Sequence, residues 1–146
     1  MVADRALARR PAERPRSDLT AEQSVLGAVL LDPAVLAEVR SLVRPEAFYS
    51  PAHAHVFAAM LEVADRGEPV DVVTVSDELA RRERLNAVGG LQYLGSLTDA
   101  TPTTAHVAAH ARLVAEHFQA RAVALALREQ LAAIDRGETI DAVRSG

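Results

Sequence analysis

Asp18-Leu-Thr-Ala-Glu-Gln-Ser-Val-Leu-Gly-Ala-Val-Leu-Leu-Asp32, followed at short range by Arg44-Pro-Glu-Ala-Phe-Tyr49, is the stretch from which the fold can be read. Thr20 and Gln23 have the spacing of a capping box, in which each side chain satisfies the other's free backbone N–H. Val25, Leu26, Val29 and Leu30 then fall on one face of a helix. Gly27 inside that helix implies close approach by a neighbour. Asp32-Pro33 reads as an N-cap with proline at the first helical position, where its missing N–H is harmless. Leu36, Val39, Leu42 and Val43 give this second helix its apolar face, and Arg44-Pro45 ends it.

Further along, Ser50-Pro51 repeats the start signal. Val56, Phe57, Met60, Leu61 and Ala64 line one side of a helix running to Arg66, with Gly67 placed to stop it. Val70-Asp-Val-Val-Thr-Val75 has the propensity of a strand. Its Val72, Val75 and Leu79 nevertheless keep helical spacing into Asp77-Glu-Leu-Ala-Arg-Arg82, which predicts a helix capped by Asp71. Gly89-Gly90 precedes a short helix holding Leu91, Leu94 and Leu97, and Thr101-Pro102 breaks the chain again. From Thr104 to Asp135 nothing interrupts a helix of roughly 45–50 Å. Gly137 stops it, and Thr139 to Arg144 begin a returning helix.

The long helix is apolar on a wide front. Val107, Ala111, Val114, Phe118, Ala122 and Leu125 form one stripe, and Val123, Leu127, Leu131 and Ile134 form another. Such a helix buries itself against more than one neighbour. A small helical head cannot cover it along its whole length, so a partner chain is the expected cover. The fold class is therefore all-α: a compact helical head over 18–101, then over 102–146 a long helix and the start of its return. An Arg/Pro-rich segment over 1–17 reads as a disordered tail.

Composition narrows the chemistry. A chain of 146 residues suits one domain with a real core. Hydrophobic residues make up 49% and aromatics only 3%, so alanine, leucine and valine must build it. Without cysteine there is no disulfide and no thiolate metal site. All 16 basic residues are arginine. A phosphate-binding P-loop needs a lysine, and so does Schiff-base catalysis; both are excluded. No apolar run is long enough for a bilayer and no secretory leader is visible, so a cytoplasmic protein without membrane contact is expected. The net charge of -4 makes no general case for nucleic acid. Arg5, Arg9, Arg10, Arg14 and Arg16 leave residues 1–18 at about +2 and the remainder near about -6.

The ordered set Glu22-Gln-Ser-Val-Leu-Gly27, Leu30-Leu-Asp32, Phe48-Tyr49, His53-x-x-Val-Phe57-x-x-Met60, Gly67-x-Pro69-Val-Asp71, Gly89-Gly90-x-x-Tyr93-Leu94 and Thr101-Pro102-Thr103 resembles the N-terminal domain of the replicative DNA helicase DnaB family. The resemblance covers about residues 18–136. It implies a globular helical head followed by a helical hairpin. It also implies pairing of hairpins between copies into a dimer or ring collar, and docking of a DnaG-like primase or a helicase loader, with DNA met only indirectly. Tyr93 and Leu113 are the residues it implies for the primase or loader side. Val123, Leu127, Leu131 and Ile134 are the residues expected to carry self-association. No cofactor and no catalytic residue are implied for this chain, the motor being absent. The hairpin's second helix is cut short after Asp141, and Ala120, Ala122, Ala124 and Ala126 stand where the family commonly carries charge. A stand-alone helical regulator of a helicase or primase is the alternative reading.

Other chemistries find less support. His106 and His110 have the i, i+4 spacing of helical zinc ligands, with His117 two turns on, but no His-Glu-x-x-His pattern accompanies them. No metal site is therefore expected. His53 is read as a capping or packing residue. Asp77-Glu78 are adjacent on a helix, do not face one another and read as solvated surface, as do Arg81, Arg82 and Arg84. No serine sits in a Gly-x-Ser-x-Gly turn. The helix after Gly89-Gly90 offers only Gln92 toward a groove, too little for sequence-specific DNA reading.

Overall fold

The computed structural model describes residues 18–138. The arginine-rich segment over 1–17 and the returning helix from Thr139 lie outside the described residues. Among those described there are six α-helices and no strand. They run as α1 (Leu19–Leu31), α2 (Leu36–Leu42), α3 (Pro51–Asp65), α4 (Val72–Arg81), α5 (Gly90–Asp99) and α6 (Val107–Asp135). The all-α expectation is met. A compact head ends at Phe118, and the described residues from Gln119 onward belong to a second unit. Val107, Ala111 and Val114 are buried with the head's core, so the head takes in the first part of α6, beyond the boundary at 101.

The helix starts follow side-chain chemistry, with one correction. Asp18, rather than Thr20, caps α1: its carboxylate accepts the Ala21 N–H at 3.0 Å. Aspartate is the better cap of the two. Thr20 stays exposed and Gln23 turns instead toward Tyr93. Asp32 caps as expected, accepting from the Ala34 N–H at 3.2 Å, but it opens a 3-10 turn (Pro33–Val35) that leads into α2. Ser50 Oγ accepts the His53 N–H at 3.3 Å with Pro51 at the first helical position of α3. The valine-rich run is helical as predicted. Asp71 accepts the Thr74 N–H at 2.8 Å while Thr74 Oγ1 accepts the Asp71 N–H at 3.0 Å. This reciprocal cap outweighs the β preference of the valines.

α1 lies at the centre of the head. Val25, Leu26, Ala28 and Val29 are almost wholly buried, so the middle of the helix has no solvent face. The amphipathic face read from the sequence is thus part of a helix buried on nearly every side. Phe57, Val56 and Met60 of α3 pack into the same core, with the Phe48 ring 5.1 Å from that of Phe57. In α5, Leu94 and Leu97 join the core and Leu91 stays exposed. The closest approach is between α1 and the end of α5. A Cβ built on Gly27 collides with the Leu97 carbonyl oxygen and with Thr101 Oγ1. Thr101 Oγ1 is in turn held by donation to that same carbonyl at 2.8 Å. Gly27 is the neighbour-contact position its place in the sequence implied.

One acidic pair differs from its reading as solvated surface. Asp77 is exposed and pairs with Arg81 at 2.8 Å. Glu78 is buried, with Arg82 Nε donating to its carboxylate at 2.6 Å and Arg66 donating at 2.7 Å. Arg82 first and then Arg66 hold the Glu78 carboxyl below the ordinary carboxylate range. Glu62, 3.8 Å from Arg66 and 3.9 Å from Arg82, completes a cluster that ties α3 to α4. Arg82 is therefore a structural cation rather than plain surface.

Gly27→Ala is expected to lower the unfolding free energy by about 1–3 kcal/mol, because a backbone carbonyl cannot move aside as a side chain can. Urea unfolding measures this, and an unchanged midpoint would show that α1 and α5 can separate. The lowered carboxyl of Glu78 gives stability that is present above the ordinary value of 4.5 and is lost as pH falls through the native value. Glu78→Gln should therefore be less stable near neutrality and lose less on acidification. Thermal midpoints of both proteins across that pH range test the difference in slope.

Candidate functional site

Three helices place polar side chains together inside an otherwise apolar head. α1 contributes Glu22, only 1% exposed. The chain entering α3 contributes the N–H groups of Tyr49 and Ser50, and α3 itself His53, also buried. α5 contributes Tyr93, which is half-buried. Glu22 Oε2 accepts the Tyr49 N–H at 2.6 Å, and Oε1 accepts the Ser50 N–H at 3.3 Å. His53 Nδ1 lies 2.8 Å from Glu22 Oε1, and His53 Nε2 lies 2.6 Å from the Tyr93 hydroxyl. Gln23 Nε2 approaches the same hydroxyl at 3.5 Å. The imidazole and phenol rings are stacked, 13° from parallel with centroids 6.1 Å apart.

The local sequence explains why the groups meet. Ser50-Pro51 sets the start of α3, which puts His53 on its first turn facing α1. Gly89 adopts a φ of 108°, a left-handed conformation that opens α5, and it lies under the Tyr93 ring. A Cβ on Gly89 would sit 2.7 Å from Tyr93 Cβ. Buried polar atoms are costly unless paired, and here the carboxylate, the imidazole and the phenol satisfy one another. Such an arrangement holds groups in place. Gly89, Gln92, Tyr93 and Ser96 line a shallow depression of about 300 Å³ above it.

Of the residues singled out from the sequence, Tyr93 stands at the edge of this cluster. Leu113, on the head portion of α6, is 37% exposed. Val123, Leu127, Leu131 and Ile134 are 59%, 55%, 62% and 45% exposed. Their spacing places them on one face of α6 in the second unit. The other stripe divides: Val107, Ala111 and Val114 are buried in the head, whereas Phe118 and Leu125 are exposed. The head itself thus covers the start of α6 and leaves the later stripe residues exposed. The His106 and His110 rings lie with centroids 6.4 Å apart and planes tilted by 60°, and among the described residues no group of three or more His, Asp or Glu is arranged to hold a metal. His53 does more than cap or pack, since it bridges Glu22 and Tyr93. Reading single residues missed that bridge; the only signal was that Glu22, His53 and Tyr93 all fell within the family-like motifs.

The comparisons with known proteins agree with this architecture. Residues 14–116 match the family model of the DnaB-like helicase N terminal domain. The replicative DNA helicase DnaB of Geobacillus stearothermophilus is 55% identical over 102 residues, covering 70% of this chain and 22% of the relative. That of Mycobacterium leprae is 47% identical over 103 residues, again 70% of this chain and 17% of the relative. The chain thus spans about a fifth of the length of these curated relatives. The crystal structure of the N-terminal domain of DnaB helicase from Mycobacterium tuberculosis superposes with a TM-score of 0.86 at 40% identity, covering 90% of this chain and 97% of that one. A structure of a DnaB-like replicative helicase and its interactions with primase gives a TM-score of 0.71 at 28% identity, over 81% of this chain and 28% of that one. This chain belongs to the DnaB-like helicase N-terminal domain family.

Glu22→Gln should destabilise the head by about 2–4 kcal/mol, since the amide NH2 has to face at least one of three buried donors. Chemical denaturation measures the loss. A cost of only a few tenths of a kcal/mol would show that water replaces the missing acceptor.

Proposed function

We propose that this chain is a non-catalytic part of a replicative DNA helicase, joining copies of itself through α6 and docking a primase at the head. The observation that carries the self-association is the row Val123, Leu127, Leu131 and Ile134, four large apolar side chains exposed on one helical face. Exposed apolar area of that kind marks an interface. Docking is supported by the position of Tyr93, an aromatic held firmly by buried groups yet bordering an open depression. Rigid aromatics that keep one side accessible are suited to serve as interface anchors. Leu113 adds an exposed apolar side chain on the head portion of α6. The relation to a helicase studied with its primase gives the same direction. A helicase loader is the other occupant of that face which the family resemblance implies.

The chain itself contributes no ATP chemistry in this reading, because it contains no lysine from which a P-loop could be built. No helix among the described residues is long and apolar enough to cross a membrane. The proposal places the protein in the cytoplasm, where the replicated DNA lies.

Size-exclusion chromatography with light scattering tests the assembly. The wild-type chain is expected at a multiple of 15.6 kDa at high micromolar concentration. Leu127→Glu combined with Leu131→Glu should return it to the single-chain mass, because the seam would otherwise bury unpaired charges. A wild-type monomer, or a double variant of unchanged mass, overturns this assignment of the seam.

A further inference from the structure

A phenol can give one hydrogen and accept others, and His53 decides which of these Tyr93 does toward the outside. The Glu22 carboxylate accepts two backbone N–H groups, from Tyr49 on one oxygen and from Ser50 on the other. His53 Nδ1, at 2.8 Å from the same carboxylate, then carries a hydrogen and donates it. In a neutral imidazole the other nitrogen is left with a lone pair, so the hydrogen bond at Nδ1 sets the role of Nε2. With that tautomer the Tyr93 hydroxyl, 2.6 Å from Nε2, has an acceptor on its inner side and would give its single hydrogen inward. Gln23 Nε2, an amide donor at 3.5 Å, approaches the oxygen as an acceptor, in keeping with that direction.

We propose that Glu22 and His53 are positioning residues that turn Tyr93 into an acceptor-only contact, and that the docking protein meets this hydroxyl with an arginine or lysine side chain. The identity of the docking protein rests on the reading given above; the direction of the Tyr93 hydroxyl is a property of this chain alone. An unconstrained tyrosine can rotate its hydroxyl to serve a partner carboxylate as well as a partner cation. Here a carboxylate arriving at Tyr93 meets a lone pair and is disfavoured, whereas a cation finds a fixed acceptor. The acidic balance of the chain, net -4 overall, adds to that preference. The residues lining the depression, Gly89, Gln92, Tyr93 and Ser96, supply no charge of their own to oppose it.

The test has one arm without any partner and one with it. In the full chain labelled with 15N-histidine at pH 8, the His53 ring, identified by the signals that vanish in His53→Asn, should show a protonated Nδ1 and a bare Nε2. A protonated Nε2, alone or together with Nδ1, overturns the inward hydroxyl. In the second arm, the primase of the same organism is titrated into the wild-type chain and into Tyr93→Phe, which keeps the ring and removes the acceptor. The loss of a hydrogen bond to a charged donor should weaken binding about tenfold. Equal affinity of the two proteins overturns the cationic contact. If primase does not bind the wild-type chain, the docking reading falls and the cationic contact with it, while the ring signals still decide the hydroxyl's direction.

Discussion

A buried carboxylate organises the head. Glu22 sits on the helix with least access to water, and its charge is tolerable there only if donors surround it. Those donors are two backbone N–H groups and an imidazole from a segment that begins 27 residues later. The connector between α2 and α3 must therefore present Tyr49 and Ser50 to α1, and α3 must begin where it does. The requirement passes on through His53 to Tyr93, so the placement of α5 is bound to the same carboxylate. Apolar packing alone leaves helices some freedom to slide. A polar chain running through the core removes it.

The apolar core is built to match. With few aromatic residues, the helices fill space with valine, leucine and alanine and gain contact by coming close. Gly27 lets α1 touch the backbone of α5, and Phe57 with Phe48 supplies a large aromatic contact within the core cluster. Across the chain, a second set of charges, Glu78 with Arg66 and Arg82, ties α4 to α3. These two polar devices differ in kind. The first is enclosed and shapes a surface at its far end; the second sits at the margin and holds two helices together.

Much of this was legible in the sequence, and the misses have physical causes. The helices were visible because caps and spacing agreed: Ser50-Pro51 and Asp71 both start helices as read. Thr20 failed as a cap because Asp18, two residues earlier, competes with a stronger acceptor. Glu78 passed for surface because its partners, Arg66 and Arg82, are brought together only by the packing of α4 on α3. The Glu22–His53–Tyr93 bridge was illegible for the same reason, since its members lie up to 71 positions apart. Periodicity reports which face of a helix is apolar. It does not report which polar groups two helices will share, and the candidate site consists of that sharing.

The central place of α1 also bears on how the chain is made. Synthesis runs from the N-terminus, so the helix that ends up most enclosed is also the first of the six to emerge. Gln23 must wait 70 residues for Tyr93, and the core around α1 is closed only when Val107, Ala111 and Val114 have followed. Until α3 and α5 have followed, its valines and leucines lack the neighbours that bury them in the finished head, and an acidic side chain lies among them. That glutamate, the organiser of the finished head, is hydrated in the nascent helix and interrupts an otherwise adhesive surface during the interval before its partners exist.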